Sequence, residues 1–339
     1  MKKPTMQDIA NSLSTSRITV WKALNNRPGV SSKLRHKIQE KAKQLGYLPE
    51  HTDSFHTALS PTKTIAAVVS RPESSLFWME IIHQLAKELS RQGVNLMYTY
   101  LPTFYKNNYE LPAVLCDGSV SGMIVLNVYS KNLLQMLASL PLPKVFLDTV
   151  PEVPFAKLNG NLVILEGRCL IQEITNKLIA SGRKKIGFIG DIAYAQTNTD
   201  RYNGFLDALN EHHLSPDPSL NLLGPLGLRT HYEEIDEFLC NLKDLPDAFI
   251  CASDYIANFV QDCFHERKMN LDGKTILTGF DNNTEYGSVA GQITTVDVQT
   301  ADLGARLSNK ILFSVEHPKA SYELSYITSE IIYRGDWVK

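Results

Sequence analysis

Long apolar runs are missing from this chain of 339 residues. No stretch approaches the roughly 18 consecutive apolar residues that a membrane-spanning helix needs. The amino end, MKKPTMQDIANS, has basic residues but no apolar region after them, so it does not read as a secretory signal. Cysteine is scarce. Cys116, Cys169, Cys240, Cys251 and Cys263 are scattered and odd in number, with no C-x-x-C pair. That pattern argues against a zinc site or a disulfide framework and for a reducing cytoplasm, with the thiols as small core residues. Catalytic signatures are missing too. GFIGD holds a Gly-x-x-Gly, but there is no G-x-G-x-x-G, no P-loop, no G-x-S-x-G elbow and no H-E-x-x-H. The nine histidines show no metal spacing, and the His212–His213 pair follows a helical stretch. The expectation is a protein that is not an enzyme, with no cofactor and no metal.

What is present begins with charge asymmetry. Net charge is only −2, yet residues 1–60 hold ten Lys and Arg against four acids, a local +6 that leaves −8 for the rest. A cationic head on an acidic body points to a polyanion-binding module at the amino end. The length suggests two or three domains, and a hydrophobic fraction of 43% is enough for sizeable cores.

Three short helices are expected in the head. Thr5 precedes MQDIANSL with Asp8 three residues on, the spacing of an N-cap closed by an acid. Ile9, Ala10 and Leu13 form one apolar face. Ser16 is placed to cap a second helix in which Val20, Ala23 and Leu24 turn inward. Arg17, Ile18, Trp21, Lys22 and Asn25 then share the outer face. NNRPG breaks the chain, Ser31 or Ser32 starts a third helix striped by Leu34, Ile38, Ala42 and Leu45, and Gly46 ends it. Two helices joined by STS with a third packed across them make a helix-turn-helix, whose second helix enters the DNA major groove. Outward Ile18 and Trp21 would meet a thymine methyl or sugar edge, and Arg17 and Lys22 guanine or phosphate. Thr19, Asn25, Ser31 and Tyr47 are expected on phosphates. Thr5 and Ser16, at the starts of the first two helices, complete the expected DNA-contacting set. The alternative for Trp21 is ordinary core.

The run TMQDIANSLSTSRITVWKALNNRPGVSSKLRHKIQEKAKQLGYLPE resembles the DNA-binding head of the LacI/GalR family of transcriptional regulators. Two departures stand out: Ser14 where that family has Gly, and Trp21 where it has Ser. In residues 48–63 the resemblance implies a hinge helix with a Leu wedged into the minor groove. Here Glu50, Asp53 and His56 occupy the positions of the Asn, the Ala and the wedge, and Leu59 or Phe55 is the nearest apolar substitute. A flexible tether remains the alternative.

From residue 64, apolar runs alternate with amphipathic segments. TIAAVVS, VNLMYTY, GMIVLN and KVFLD read as buried strands, and KKIGFIG, DAFICA and TILTGF form a second series, with helical patterns between them. The expected fold class is α/β: an all-α helix-turn-helix head (1–47), a linker (48–63) and two doubly wound parallel-sheet lobes (64–339). SGRKKIGFIGD, DRYNGFLDAL, LTGFDNN and ITTVDVQTADLGARLSNKIL carry the same family resemblance, and through it a likeness to periplasmic sugar-binding proteins. The resemblance implies three crossings between lobes. Lobe one is expected over about 64–159 and 292–325, and lobe two over about 160–291 and 326–339.

The resemblance also places effector contacts on Asn127 and Asp148 in lobe one and on Thr197, Arg201, Ser253, Asp254 and Asp281 in lobe two. Phe77 and Trp78 would be stacking aromatics. Carboxylates and Arg pair with vicinal hydroxyls while an aromatic face covers sugar C–H surface, so a sugar or sugar derivative is expected. Implied partners are double-stranded DNA with a near-palindromic operator and a second copy of the chain, without a tetramerising tail. Two alternatives stay open: a solute receptor, and a body that binds a co-regulator protein.

Overall fold

The structure, a computed structural model, describes residues 4–24, 27, 29–47, 63–70, 75–227, 230–270 and 273–338. It divides into two compact units, residues 1–62 and 63–339.

The first unit holds α1 (Met6–Ser12), α2 (Arg17–Leu24) and α3 (Ser32–Gln44). The Thr5 hydroxyl accepts from the Asp8 N–H, and the Asp8 carboxylate accepts from the Thr5 N–H at 2.8 Å, so the expected capping box forms. Ser31, not Ser32, caps α3. Ser14, in the turn between α1 and α2, sits at φ 48°, the left-handed conformation that glycine adopts without strain. Ile9, Ala10, Val20, Ala23, Ile38 and Ala42 form the core. Arg35 fastens it: its guanidinium donates to the carbonyls of Lys22 (3.3 Å), Ala23 (3.1 Å) and Arg27 (2.8 Å), placing a cation where α2 ends. Leu45 does not complete the stripe. It lies past the last turn of α3 and is exposed, Gly46 turns the chain at φ 69°, and Tyr47 packs on the core in its stead.

The second unit alternates strands and helices: β1 (Thr64–Val69), α4 (Leu76–Arg91), β2 (Asn95–Tyr100), β3 (Gly122–Leu126), α5 (Lys131–Ser139), β4 (Lys144–Leu147), β5 (Asn161–Leu165), α6 (Arg168–Ala180), β6 (Ile186–Ile189), α7 (Gln196–Glu211), α8 (His231–Cys240), β7 (Ala248–Cys251), α9 (Asp254–Glu266), β8 (Ile276–Thr278), β9 (Thr295–Asp297), α10 (Thr300–Glu316), β10 (Leu324–Ile327) and β11 (Glu330–Ile332). Lobe one is a six-stranded parallel sheet in the order β10-β5-β4-β3-β1-β2. Lobe two carries the parallel β6-β7-β8 sheet, which a bridge from Thr278 to Thr294 links to the antiparallel pair β9–β11.

Three features differ from the sequence reading. β5 falls where that reading names no strand. β2 is an edge strand, not a buried one: Tyr98 is 54% exposed and Tyr100 is also on the surface. The lobe boundaries fall later than 159/160, 291/292 and 325/326, because β5, β9 and β10 finish their sheets before the chain leaves them. The crossings are the two-residue links Glu166–Gly167, Val298–Gln299 and Thr328–Ser329.

Two close approaches fix the lobes internally. In lobe one the Lys144 ammonium is buried beneath the end of α5 and donates to the carbonyls of Ala138 (3.3 Å), Leu140 (2.7 Å) and Asn159 (3.1 Å). Burial pulls its pKa down to about 8, while those carbonyls and the end of the helix favour the charge. In lobe two α6 and α7 pack so tightly that a Cβ on Gly204 would lie 2.0 Å from the Arg168 carbonyl oxygen. We expect Gly204→Ala to destabilise the protein by about 1–3 kcal/mol through overpacking, outweighing the roughly 1 kcal/mol that Ala gains over Gly in a helix. A lowered urea midpoint checks this, and an unchanged or raised midpoint refutes it.

Candidate functional site

Two regions collect the candidate residues. In the first unit α2 turns Val20 and Ala23 inward and leaves Ile18 66% and Trp21 44% exposed, so Trp21 is not core. Arg17 is exposed and Lys22 half-buried on the same short helix. The Ser16 hydroxyl accepts from the Thr19 N–H at 3.0 Å and lies 2.8 Å from the Thr19 hydroxyl, so Ser16 caps the helix and orients Thr19. Thr5 and Ser31 likewise serve as caps, and Tyr47 packs on the core. Asn25 and Leu59, with the linker positions Glu50, Asp53, Phe55 and His56, lie outside the described residues.

The second region is a cleft of about 870 Å³ between the two lobes of the body. It opens at the carboxyl ends of the parallel strands, where such folds take ligands. Asn127 follows β3 at φ 53°, Asp148 follows β4 at φ 69°, and Asp281 lies three residues past β8 at φ 107°. These left-handed positions suit Asn and Asp, whose short polar side chains tolerate the conformation. The local geometry thus explains both the residue types and their aim into the cleft.

Arg201, on α7, is buried at the centre. Its guanidinium lies 3.6 Å from the Phe280 ring centroid, donates to the Ala252 carbonyl, and reaches within 3.9 Å of the Asp281 carboxylate. Its Nε has no hydrogen-bond partner. Gly167, at the first crossing, makes room for it: a Cβ there would sit 2.8 Å from the Arg201 Cγ. The Asp148 carboxylate accepts from the Thr149 N–H (2.7 Å) and the Thr197 hydroxyl (2.7 Å), joining lobe one to lobe two. Burial pushes Asp148 up to about 6, opposed by those two bonds and by Arg201. Burial also raises Asp281, again opposed by Arg201.

Phe77 and Trp78, at the start of α4, both line the cleft, edge to face at 5.2 Å. Ser253 lines it while its hydroxyl caps α9 by accepting from the Ile256 N–H. Asp254 does not reach it. Its carboxylate accepts from the Thr295 hydroxyl (2.7 Å) and the Asn283 N–H (2.9 Å), tying α9 to β9, and burial raises it to about 6. That is a structural bridge, and it replaces the effector contact expected at Asp254.

Several cleft residues escape the sequence reading. Tyr129, two residues past Asn127, donates to Asp148 at 3.5 Å, and its ring meets Tyr194 of lobe two at 4.4 Å. Tyr255, Tyr286 and His231 of lobe two also line the cleft. For Tyr129 a signal existed in the aromatic just beyond a strand end. The rest depend on lobe pairing.

Comparisons with known proteins agree with both regions. The family profile "Bacterial regulatory proteins, lacI family" matches residues 5–50, and "Periplasmic binding protein-like domain" matches residues 175–335. The chain is 28% identical to the HTH-type transcriptional repressor PurR of Haemophilus influenzae, over 97% of both chains. It is 26% identical to the HTH-type transcriptional regulator RegA of Clostridium saccharobutylicum, over 95% of this chain and 96% of that one. Among solved structures, the transcriptional regulator CelR in complex with cellobiose is similar with a TM-score of 0.69 at 20% identity, covering 98% of this chain and 99% of that one. The lac repressor dimer bound to operator and the anti-inducer ONPF gives 0.68 at 18% identity, covering 100% of both. The chain thus carries a lacI-type helix-turn-helix at its amino end and a periplasmic-binding-protein-like domain behind it, and over nearly its whole length it is similar to DNA-binding transcriptional regulators of the LacI family.

Proposed function

We propose that the protein is a repressor that binds a near-palindromic operator as a homodimer and answers to a sugar or sugar derivative held in the cleft. The outward face of α2 carries this reading. Ile18 and Trp21 stand exposed beside Arg17 and Lys22 on a helix too short to need a second apolar face for packing. In water such a surface is unfavourable; in a major groove it meets thymine methyls while the cations meet guanine or phosphate. The relatives named as repressors support the direction of regulation.

Arg201, Asp148, Asp281 and Asn127 support the effector part, since carboxylates and a guanidinium around one cavity suit a hydroxyl-rich ligand. Exposed Met79 on α4 and Tyr98 and Tyr100 on the β2 edge support a homodimer, offering apolar surface to a second copy. The protein would work in the cytoplasm, where its DNA is.

Arg17→Ala and Lys22→Ala are expected to relax base preference at one half-site position each, by about 1–3 kcal/mol for a lost paired contact. Selection of bound duplexes from a random pool reads this, and unchanged preference in both variants counts against groove reading. Affinity for the selected duplex should fall steeply with salt. Arg201→Ala is expected to abolish effector response while leaving effector-free DNA affinity within about twofold, because the head folds on its own core. A retained response, read as effector-dependent release of duplex in fluorescence anisotropy, moves the pocket elsewhere.

The raised carboxyl of Asp148 also sets a pH dependence. Its folded pKa of about 6 lies above the ordinary carboxyl value of 3.8, so the folded state binds more protons between those values. Its stabilising share is complete below about pH 4 and is lost as pH rises through about 6. Asp148→Asn should therefore flatten the fall in Tm across that window relative to the parent. An identical slope in parent and variant assigns the dependence to other groups.

A further inference from the structure

The cleft is larger and more graded than one sugar ring requires. At about 870 Å³ it lies near the top of the roughly 300–1,000 Å³ spanned by ligand pockets and is several times the volume of a single pyranose. Its lining is sorted by depth. Asn127, Asp148, Thr197 and Arg201 are all nearly inaccessible and form a polar floor. Nearer the solvent stand Phe104 of lobe one, 71% exposed, and Tyr255 of lobe two, 37% exposed. Tyr255 does not stand alone. Its ring centroid lies 5.3 Å from His231, 4.8 Å from Phe259 and 5.5 Å from Tyr286, a cluster that holds it in place. A fixed, exposed aromatic beside a ligand cavity is a stacking platform in search of an apolar face.

Charge narrows the ligand further. Asp148, Asp191, Asp281 and Glu285 line the cleft, and among the described lining residues Arg201 is the one Lys or Arg. Arg201 is already engaged with the Ala252 carbonyl, the Phe280 face and Asp281. An added phosphate would face more negative than positive charge, whereas a ligand hydroxyl could donate to Asp281, whose carboxylate meets Arg201 only at 3.9 Å.

We propose, resting on the reading that the cleft takes a sugar, that the effector is an uncharged saccharide of at least two rings. Its first ring sits on the Asn127–Asp148–Arg201 floor and its second stacks on Tyr255 at the rim. The floor fixes ring orientation through paired hydrogen bonds, and the rim supplies selectivity for length. Phe104, from the loop after β2, covers the outer ring from the opposite lobe.

The test is calorimetric titration of the full-length protein with cellobiose, maltose, lactose and sucrose, with glucose, galactose and fructose, and with glucose 6-phosphate. At least one disaccharide is expected to bind about tenfold or more tightly than either of its component sugars, and glucose 6-phosphate more weakly than glucose. Tyr255→Ala should weaken that disaccharide about tenfold, Tyr255→Phe should restore it, and monosaccharide affinity should stay level in both variants. A monosaccharide that binds as tightly as any disaccharide, a phosphorylated sugar that binds best, or an equal loss of both sizes in Tyr255→Ala overturns the two-ring assignment while leaving the sugar reading standing. No binding by any member of the panel overturns both.

Discussion

One buried guanidinium holds the cleft in shape. Arg201 reaches from α7 to the end of β7 at Ala252, lies on Phe280 just past β8, and fills the space that Gly167 leaves at the first crossing. An unpaired charge at such depth is strongly unfavourable, so its surroundings must supply partners. They do so with two carboxylates of the same cavity, Asp281 within 3.9 Å and Asp148, and with Asp254 behind the cavity wall, the last two near enough to feel its field. Two of these carboxylates also draw donors from other elements: Asp148 from Thr197, Asp254 from Thr295 and Asn283. Removing the cation would leave this set of acids buried without it, which is why a single residue can decide whether the site exists at all.

Much of this was legible because the chemistry is local. The Thr5–Asp8 box and the inward stripe of α2 follow from spacing alone, whereas spacing left Ser31 and Ser32 both open as the cap of α3. Asn127, Asp148 and Asp281 were legible through resemblance, and their left-handed backbones supply the reason for those residue types. What stayed hidden depends on distant partners. β10 is a short strand with Leu324 and Tyr326 exposed, and it becomes a strand by pairing with β5 some 160 positions earlier, an interaction no window of sequence contains. Arg35 looks like one more cation of a basic head until its guanidinium is seen on carbonyls 8 to 13 residues before it. Asp254 misled for the opposite reason. It stands at the expected strand-end position, but Thr295 and Asn283 reach its oxygens first.

The two units solve different stability problems. The body has large cores on both faces of its sheets, whereas among the described residues the buried core of the head is six small or medium apolar residues. A core of that size contributes little, so directed bonds matter more there. Arg35 closes three carbonyls near the end of α2, and caps close the starts of all three helices. With α2 held from both ends, its outer face is free to be chosen for DNA. That leaves Ile18 and the exposed part of Trp21 available at the surface.

Regulation of such a head by such a cleft requires an effector with unequal affinity for two arrangements of the body, since equal affinity shifts nothing. The contacts that differ between arrangements must therefore lie between the lobes. Among the described residues these include Thr197 to Asp148 at 2.7 Å, the Gln196 N–H to the Thr149 carbonyl at 2.8 Å, the Leu76 N–H to Glu285 at 3.0 Å, a side-chain contact of Ser75 with Tyr286, and the Tyr129–Tyr194 ring contact. Hydrogen bonds contribute about 0.5–1.5 kcal/mol each, so this handful matches in scale the roughly 1–3 kcal/mol of ordinary allosteric coupling. Three crossings of only two residues each leave the chain little slack to absorb a change at one of them alone. A ligand that takes Asp148 from Thr197 therefore acts on the relation between the lobes as a whole, and the weakness of each contact it replaces is what makes the response reversible.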